Sequence, residues 1–375
     1  MSSTKLCIIT TNKKVYSETF IRNHIDKLPF WKKTLYNGHL PVLYEWNTDR
    51  PLSNLLLYKI RTKFFANASA TNEKYISKYL PQYLKQNKIQ VVLAEFGPVG
   101  AHVQNACIKA NIPLIVHFHG DDAHAHTYKE RYQSYQGLLK HAHAVICVSV
   151  SMHKQLKEYG FTDKQLHLIP YGIDTSFFSS ADPLNAPPVF VSVGRFVDKK
   201  APHLTILAFE KVLKRVPYAR LIMIGTGPLL MACKELAYAL GISKNIEFKG
   251  VCNQEEVQQT IRGARAFVMH SVTPETGEKE GTPLSVLEAS ASGLPIISTF
   301  HAGIAEAVVH NKTGFLVDEY DFSQMAEFMV QLAETPELAM RMGGEGRKHI
   351  SQNYELKKQI AKLASVIEQT ANPTL

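Results

Sequence analysis

The chain has 375 residues, 45% of them hydrophobic and 20% charged, with 21 Gly and 18 Pro. These proportions exclude disordered, collagen-like and small disulfide-scaffold classes, and the length suits about two domains. Charge is uneven: residues 1–170 hold 22 Lys/Arg against 11 Asp/Glu, whereas residues 171–375 hold 20 against 22. Solubility alone needs no such asymmetry, so the basic half points to an anionic partner such as a membrane surface, a nucleic acid or a phosphorylated substrate. No apolar run approaches the roughly 18–20 residues of a spanning helix. The opening residues, Met1 to Thr10, read as a first strand rather than a secretory signal. Five scattered cysteines without a CxxC pair suit reduced thiols and a cytoplasmic location.

Short β-branched runs alternate with amphipathic helical stretches throughout, the pattern of βαβ units around parallel sheets. In the first half the expected strands are 6–10, 42–46, 91–96, 114–119, 144–149 and 166–170. In the second they are 189–193, 221–225, 246–249, 266–270, 295–299 and 315–317. The small, Pro-rich segment 179–188 reads as an inter-domain linker. The expected architecture is α/β: two Rossmann-like domains with parallel sheets facing across a cleft, residues 1–178 and 179–353. A final helix, 354–375, either caps the second domain or returns to the first.

The strongest motif runs from Glu280 to Pro295. Thr282 suits an N-cap, Pro283 the first helical position and Gly293 the C-terminal stop. Such a helix leaves the N–H groups of Leu284 and Ser285 open to a phosphate and carries Glu288 about 9 Å along its axis from the cap. That span matches the distance from a diphosphate to the hydroxyls of its ribose. The plainer reading is a capped helix with two solvated carboxylates. Upstream, strand 189–193 ends in Gly194-Arg195-Phe196, with Lys200 following before a helix, so two cations sit on one strand–helix loop. Arg offers a planar fork for phosphate oxygens and Lys a mobile point charge. Surface cations paired with nearby acids are the alternative. No GxGxxG follows the first strand and no GxxxxGK[ST] occurs, which argues against a dehydrogenase and a P-loop NTPase.

Three i,i+2 histidine pairs, His117/His119, His124/His126 and His141/His143, crowd the first half. A metal cluster would need them to converge with Asp121 or Asp122. Arg195, Lys200 and a helix N-terminus make a metal unnecessary for a diphosphate, so none is expected. His119, ending a strand, is the histidine best placed for substrate. The basic and aromatic stretch Lys59-Ile60-Arg61-Thr62-Lys63-Phe64-Phe65, with Tyr75, Tyr79 and Tyr83 among lysines, suits an anionic membrane interface. The same tyrosines also follow a buried-face helical spacing. No nucleic-acid motif accompanies the charge.

Together, Gly194-Arg195 with Lys200, Gly225-Thr226-Gly227-Pro228-Leu229, Phe248-Lys249-Gly250, the Glu280…Glu288 motif and Ala302–Val308 with Asn311–Val317 resemble glycosyltransferase family 4. In the first half the resemblance rests on Ser17-Glu18-Thr19-Phe20, His117-Phe118-His119-Gly120-Asp121-Asp122 and Ile169–Asp174, and the first two of these are most similar to the bacterial exopolysaccharide, colanic-acid-type branch. The resemblance implies a GT-B fold and a retaining enzyme that moves a hexose from a nucleotide diphosphate sugar, a UDP- or GDP-sugar, to an oligosaccharide or lipid-linked acceptor. It implies further that Arg195 and Lys200 hold the diphosphate, that Thr282, Pro283, Leu284 and Ser285 form the phosphate-facing helix start, and that Glu288 holds the ribose. Glu280 would touch hydroxyls of the transferred sugar, backbone near Gly194, Gly250 and Val251 would meet the donor, and His119 would line the reaction centre from the other domain. Where many members carry a Gly-Gly pair after the first strand, this chain has Thr10-Thr11-Asn12 through Ser17-Glu18. A cytoplasmic enzyme, peripheral on the inner face of the membrane, is the expected setting. A sugar-nucleotide epimerase of the same fold and a non-catalytic sugar-nucleotide-binding subunit are the rival readings.

Overall fold

The computed structural model describes residues 4–13, 18–38, 42–52, 68–178 and 180–373. The chain divides into two compact units, Met1–Pro170 with Lys358–Leu375, and Tyr171–Lys357.

The first unit is built on a seven-stranded sheet of order β3-β2-β1-β4-β5-β6-β7. Its strands are β1 (Lys5–Ile9), β2 (Trp31–Tyr36), β3 (Tyr44–Glu45), β4 (Val91–Glu95), β5 (Leu114–His117), β6 (Ala142–Cys147) and β7 (Leu166–Leu168). All pairings are parallel except β2 with β3. Every residue of β4 and β5 is buried, as continuous apolar runs in a doubly covered parallel sheet require. The strand order reverses at β1/β4, so ligand chemistry belongs at the carboxyl ends of these strands, where Thr10 and Glu95 stand. Strand β2 is absent from the expected set, and the strand expected at 42–46 shrinks to two residues. In β2 only Leu35 is buried, so Trp-Lys-Lys-Thr carries no apolar run to betray it.

The helix Ala68–Gln86 turns Tyr75, Ile76, Leu80 and Leu84 inward, and the Tyr83 hydroxyl donates to Glu45 Oε1 at 2.6 Å. Its aromatic spacing is thus a packing face, while Lys59–Phe65 and Ser17 lie outside the described residues. The five cysteines are free and buried. Among the described residues no helix is long and apolar enough to cross a membrane.

The second unit carries a six-stranded parallel sheet of order β10-β9-β8-β11-β12-β13. The strands are β8 (Val189–Val193), β9 (Arg220–Ile224), β10 (Ile246–Gly250), β11 (Ala266–Val268), β12 (Ile296–Thr299) and β13 (Gly314–Val317). The order reverses between β8 and β11, which puts the loops after both at the second switch point. Most expected strands in both units end one or two residues early. Residues such as Phe96, Phe118, Gly225 and Met269 instead open the turns that follow.

The boundary falls at Pro170/Tyr171, not in the Pro-rich segment expected to link the domains. That segment packs on the second unit: Ala181 N–H donates to the Ser292 carbonyl at 2.7 Å, and Arg347 holds the Phe178 carbonyl at 2.8 Å. The terminal helix Leu356–Ala371 groups from Lys358 onward with the first unit, where Asn372 Nδ2 donates to Thr4 Oγ1 at 3.4 Å.

Candidate active site

At the carboxyl end of β8, Gly194-Arg195-Phe196 lies backbone to backbone against Gly225-Thr226-Gly227. Gly194 N–H donates to the Ile224 carbonyl, Phe196 N–H to Thr226 and Leu229 N–H back to Phe196, each at 3.0 Å. Gly225 has φ +135°, and a Cβ there would stand 2.0 Å from the Gly194 carbonyl oxygen, so no other residue fits. The second glycine motif therefore holds the first in place. Arg195 emerges exposed, with no side-chain hydrogen bond or ion pair among the described residues. Arg195, Phe196, Lys200, Met223 and Met269 border a small concavity that is partly open to solvent.

Lys200 closes a 3₁₀ turn before the helix Pro202–Leu213. Its Nζ lies 3.0 Å from Glu280 Oε2, and Lys199 Nζ lies 3.8 Å from Oε1. Burial pushes the Glu280 carboxyl up, but the two lysine charges outweigh it and hold its pKa at about 2. Lys200 moves the other way: burial lowers its pKa, and Glu280 offsets only part of that.

His301 fixes the backbone of Glu280. Its Nε2 accepts the Glu280 N–H at 3.1 Å, so its proton sits on Nδ1, which donates to Glu319 Oε1 at 2.6 Å. Glu319 also accepts the Thr273 N–H at 2.7 Å and the Thr273 hydroxyl at 3.1 Å, tying both ends of the loop after β11 to one carboxylate. Burial depresses the His301 pKa despite Glu319, which keeps the acceptor nitrogen unprotonated. Sequence reasoning missed Lys199, His301 and Glu319. The only signal for His301 was its place beside Ala302-Gly303, and nothing in the spacing marked Glu319.

The helix expected to face a phosphate spans Leu284–Ala291, starting one residue later than expected. Pro283, at φ −77° and ψ 98°, occupies the N-cap, and its carbonyl accepts from Val286 N–H at 3.0 Å and Leu287 N–H at 3.1 Å. Thr282 is not the cap; its hydroxyl oxygen accepts the Tyr171 N–H at 3.4 Å. The amides of Leu284 and Ser285 have no partner among the described residues. One turn on, partly buried Glu288 makes no side-chain hydrogen bond among the described residues, and burial pushes its pKa up to about 7. Gly250, at φ +71°, ends β10, and its carbonyl accepts Gly225 N–H at 2.7 Å. Val251 beside it is exposed.

In the first unit, His119 stands two residues beyond β5, with Nε2 2.9 Å from Glu95 Oε2. Glu95, wholly buried at the end of β4, also meets His24 Nδ1 at 2.8 Å through Oε1 and lies 3.6 Å from His117 Nδ1. Burial raises the Glu95 pKa, yet the surrounding imidazoles win and hold it far below the usual carboxylate range. Asp122 accepts three backbone N–H groups, from His119 at 2.8 Å, Gly120 at 2.9 Å and Gly97 at 2.9 Å. Those bonds involve both its oxygens and tie the turn after β5 to the turn after β4. His24, Glu95 and His117 place one ligand atom each within 4.8 Å of one another, close enough for a cation. Of the expected histidine pairs, only His117 and His119 converge.

Two family models match the chain: Glycosyltransferase Family 4 over residues 37–177 and Glycosyl transferases group 1 over residues 175–349. The chain is 27% identical over 292 residues to the colanic acid biosynthesis protein WcaL of Escherichia coli (strain K12), covering 75% of this chain and 71% of that one. It is 30% identical over 214 residues to a GDP-mannose-dependent alpha-(1-6)-phosphatidylinositol monomannoside mannosyltransferase of Mycobacterium tuberculosis (strain ATCC 25618 / H37Rv), covering 54% and 55%. Its fold is similar to that of HepE from Anabaena, solved in complex with UDP, at TM-score 0.78 and 15% identity over 97% of this chain and 100% of that one.

Proposed function

We propose that this chain, which belongs to the glycosyltransferases as a family 4 domain followed by a group 1 domain of GT-B fold, transfers a hexose with retention from a nucleotide diphosphate sugar to a lipid-linked oligosaccharide of a surface polysaccharide. The observation that carries the donor half is the Lys200–Glu280 pair at 3.0 Å: Glu280 stands four residues before two open helix amides, and Lys200 borders the same concavity as Arg195. A diphosphate leaving group needs this convergence: two cations and a helix N-terminus already aimed at the charge that develops as the sugar bond breaks. Glu280, held ionised, accepts hydrogen bonds from sugar hydroxyls, Glu288 takes the ribose and backbone at Gly250 and Val251 meets the base. His119 contacts the transferred sugar. What supports this acceptor class is the naming of relatives for colanic acid biosynthesis and for a phosphatidylinositol monomannoside, together with the basic first half.

With Arg195, Lys200 and the helix start supplying positive charge, transfer proceeds without a divalent cation. The test is a thermal-shift panel of nucleoside diphosphates and their sugars, followed by product linkage determination by NMR with and without EDTA. A nucleoside diphosphate that raises Tm, a retained anomer and EDTA-resistant turnover are expected. Inversion, or activity that EDTA removes and magnesium or manganese restores, defeats the corresponding part. Turnover of the sugar nucleotide to an epimer without acceptor favours the epimerase reading instead.

A further inference from the structure

The first unit spends an unusual amount of structure on one imidazole. Phe96, next to Glu95, has φ +82°, a conformation that strains a non-glycine residue and persists only where its surroundings enforce it. Its N–H is held by the His117 carbonyl at 2.8 Å, and a Cβ on the following Gly97 would stand 2.3 Å from the Phe118 ring. This tight turn leaves the Glu95 carboxylate buried at the strand end. The ring of His119 lies among Phe20, Phe96 and His117, with centroids at 4.6, 4.5 and 4.4 Å. Its backbone N–H is pinned by Asp122.

An ionised carboxylate can only accept hydrogen bonds, so the nitrogens at 2.8 and 2.9 Å from Glu95 both carry protons: His24 Nδ1 and His119 Nε2. Those separations are those of charge-assisted hydrogen bonds. A zinc ion in the same place would need the His24 Nδ1 proton removed and ligands at about 2.0–2.2 Å. We propose that Glu95 is a positioning residue, whose carboxylate accepts the Nε2–H of His119 and thereby fixes the ring in the orientation that the transferred sugar meets. His24 serves the same purpose one step back, by holding Glu95 Oε1. The proposal rests on the assignment of His119 to the sugar.

Two readouts on the full chain test it. In ¹⁵N-labelled protein, the imidazole nitrogens of His119 should show a protonated Nε2, and Glu95→Gln should move that signature. In parallel, donor hydrolysis is followed with UDP-glucose and GDP-mannose, using whichever the wild type turns over. Glu95→Gln should lower kcat about 10- to 100-fold, as loss of a supporting contact does around other precisely held groups, with donor KM changing less than about threefold. Glu95→Asp should recover part of the loss. Unchanged kcat in a folded Glu95→Gln, an unprotonated Nε2, or about one equivalent of zinc per purified chain overturns the proposal. A silent His119→Ala removes the assignment beneath it as well. A crippled His119→Ala beside an active Glu95→Gln removes the positioning role alone.

Discussion

Lys200 and Glu280 stand 80 positions apart in sequence, yet their side chains meet at 3.0 Å, and burial acts on them in opposite senses. It lowers the lysine, while Lys200 and Lys199 together more than reverse its effect on the glutamate. The result is a preformed charge pair at the edge of a concavity, which a donor diphosphate and sugar would divide between them.

The sign of the pH effect follows. Glu280 titrates at about 2 in the folded chain, against 4.5 ordinarily, so it contributes stability above pH 4.5 that is lost as pH falls from about 4.5 to about 2. Glu280→Gln should lack this acid-side slope in denaturant titrations across that range. At pH 7 the variant should be less stable by about 3 kcal/mol, because two buried lysines lose their counter-charge. A parallel pair of stability–pH curves would remove the ion pair from the account.

Arg195 should behave in the opposite way. It is exposed and makes no side-chain hydrogen bond or ion pair among the described residues, so Arg195→Ala should leave unfolding free energy within about 0.5 kcal/mol of wild type. The same change should cost about 2–4 kcal/mol in transition-state stabilisation, read from kcat/KM, as for one preorganised donor. Gly225→Ala should cost activity too, but through the fold. Its Cβ collides with the Gly194 carbonyl at a strained φ, so stability should fall by about 2–4 kcal/mol. Equal stability losses in both variants would refute the distinction.

How far the sequence foretold this can be seen in these same residues. Both sheets were legible because parallel strands buried on two faces write themselves as apolar runs: Val91–Glu95 and Ile296–Thr299 are examples. Trp31–Tyr36 was not, since its partial cover lets Lys32, Lys33 and Thr34 stand in a row with little apolar signal. Arg195, Lys200, Glu280 and Glu288 stood out by motif. The pairing of Lys200 with Glu280, the His301–Glu319 support and the Glu95–His24–His119 cluster join segments far apart in the chain, and no local spacing encodes such contacts. The helix start moved by one residue because Pro283, with its extended backbone, capped the helix itself while Thr282 took the Tyr171 amide.

The charge excess of the first half remains when its tyrosines are assigned to packing. Tyr75 is buried and Tyr83 bonds Glu45, so the lysines of the helix Ala68–Gln86 rather than its aromatics would meet a membrane. Binding should then be electrostatic: co-sedimentation with anionic vesicles at low salt, weakening steeply at about 0.5 M salt as screening shortens below about 10 Å. Equal binding to neutral vesicles would sink the electrostatic reading.

Glu288 offers the sharpest opposition between stability and function. Its carboxyl is pushed up to about 7 from 4.5, with burial the cause and no cation beside it to compensate. As pH rises from 4.5 towards 7 the unfolded chain releases this proton while the folded chain keeps it, so folding loses stability through that window and carries the full penalty above pH 7. Glu288→Gln removes the titration. The variant should therefore be more stable than wild type at pH 8, by about 1–3 kcal/mol, and closer to it at pH 4.5. If Glu288 holds ribose hydroxyls, the same substitution should weaken binding of the free nucleoside diphosphate about tenfold by calorimetry, because a neutral amide is a poorer acceptor than a carboxylate. A variant that gains stability at pH 8 and keeps its full diphosphate affinity would leave Glu288 a buried acid without a ligand role. One that loses both would mean that the carboxyl supports the helix Leu284–Ala291 instead.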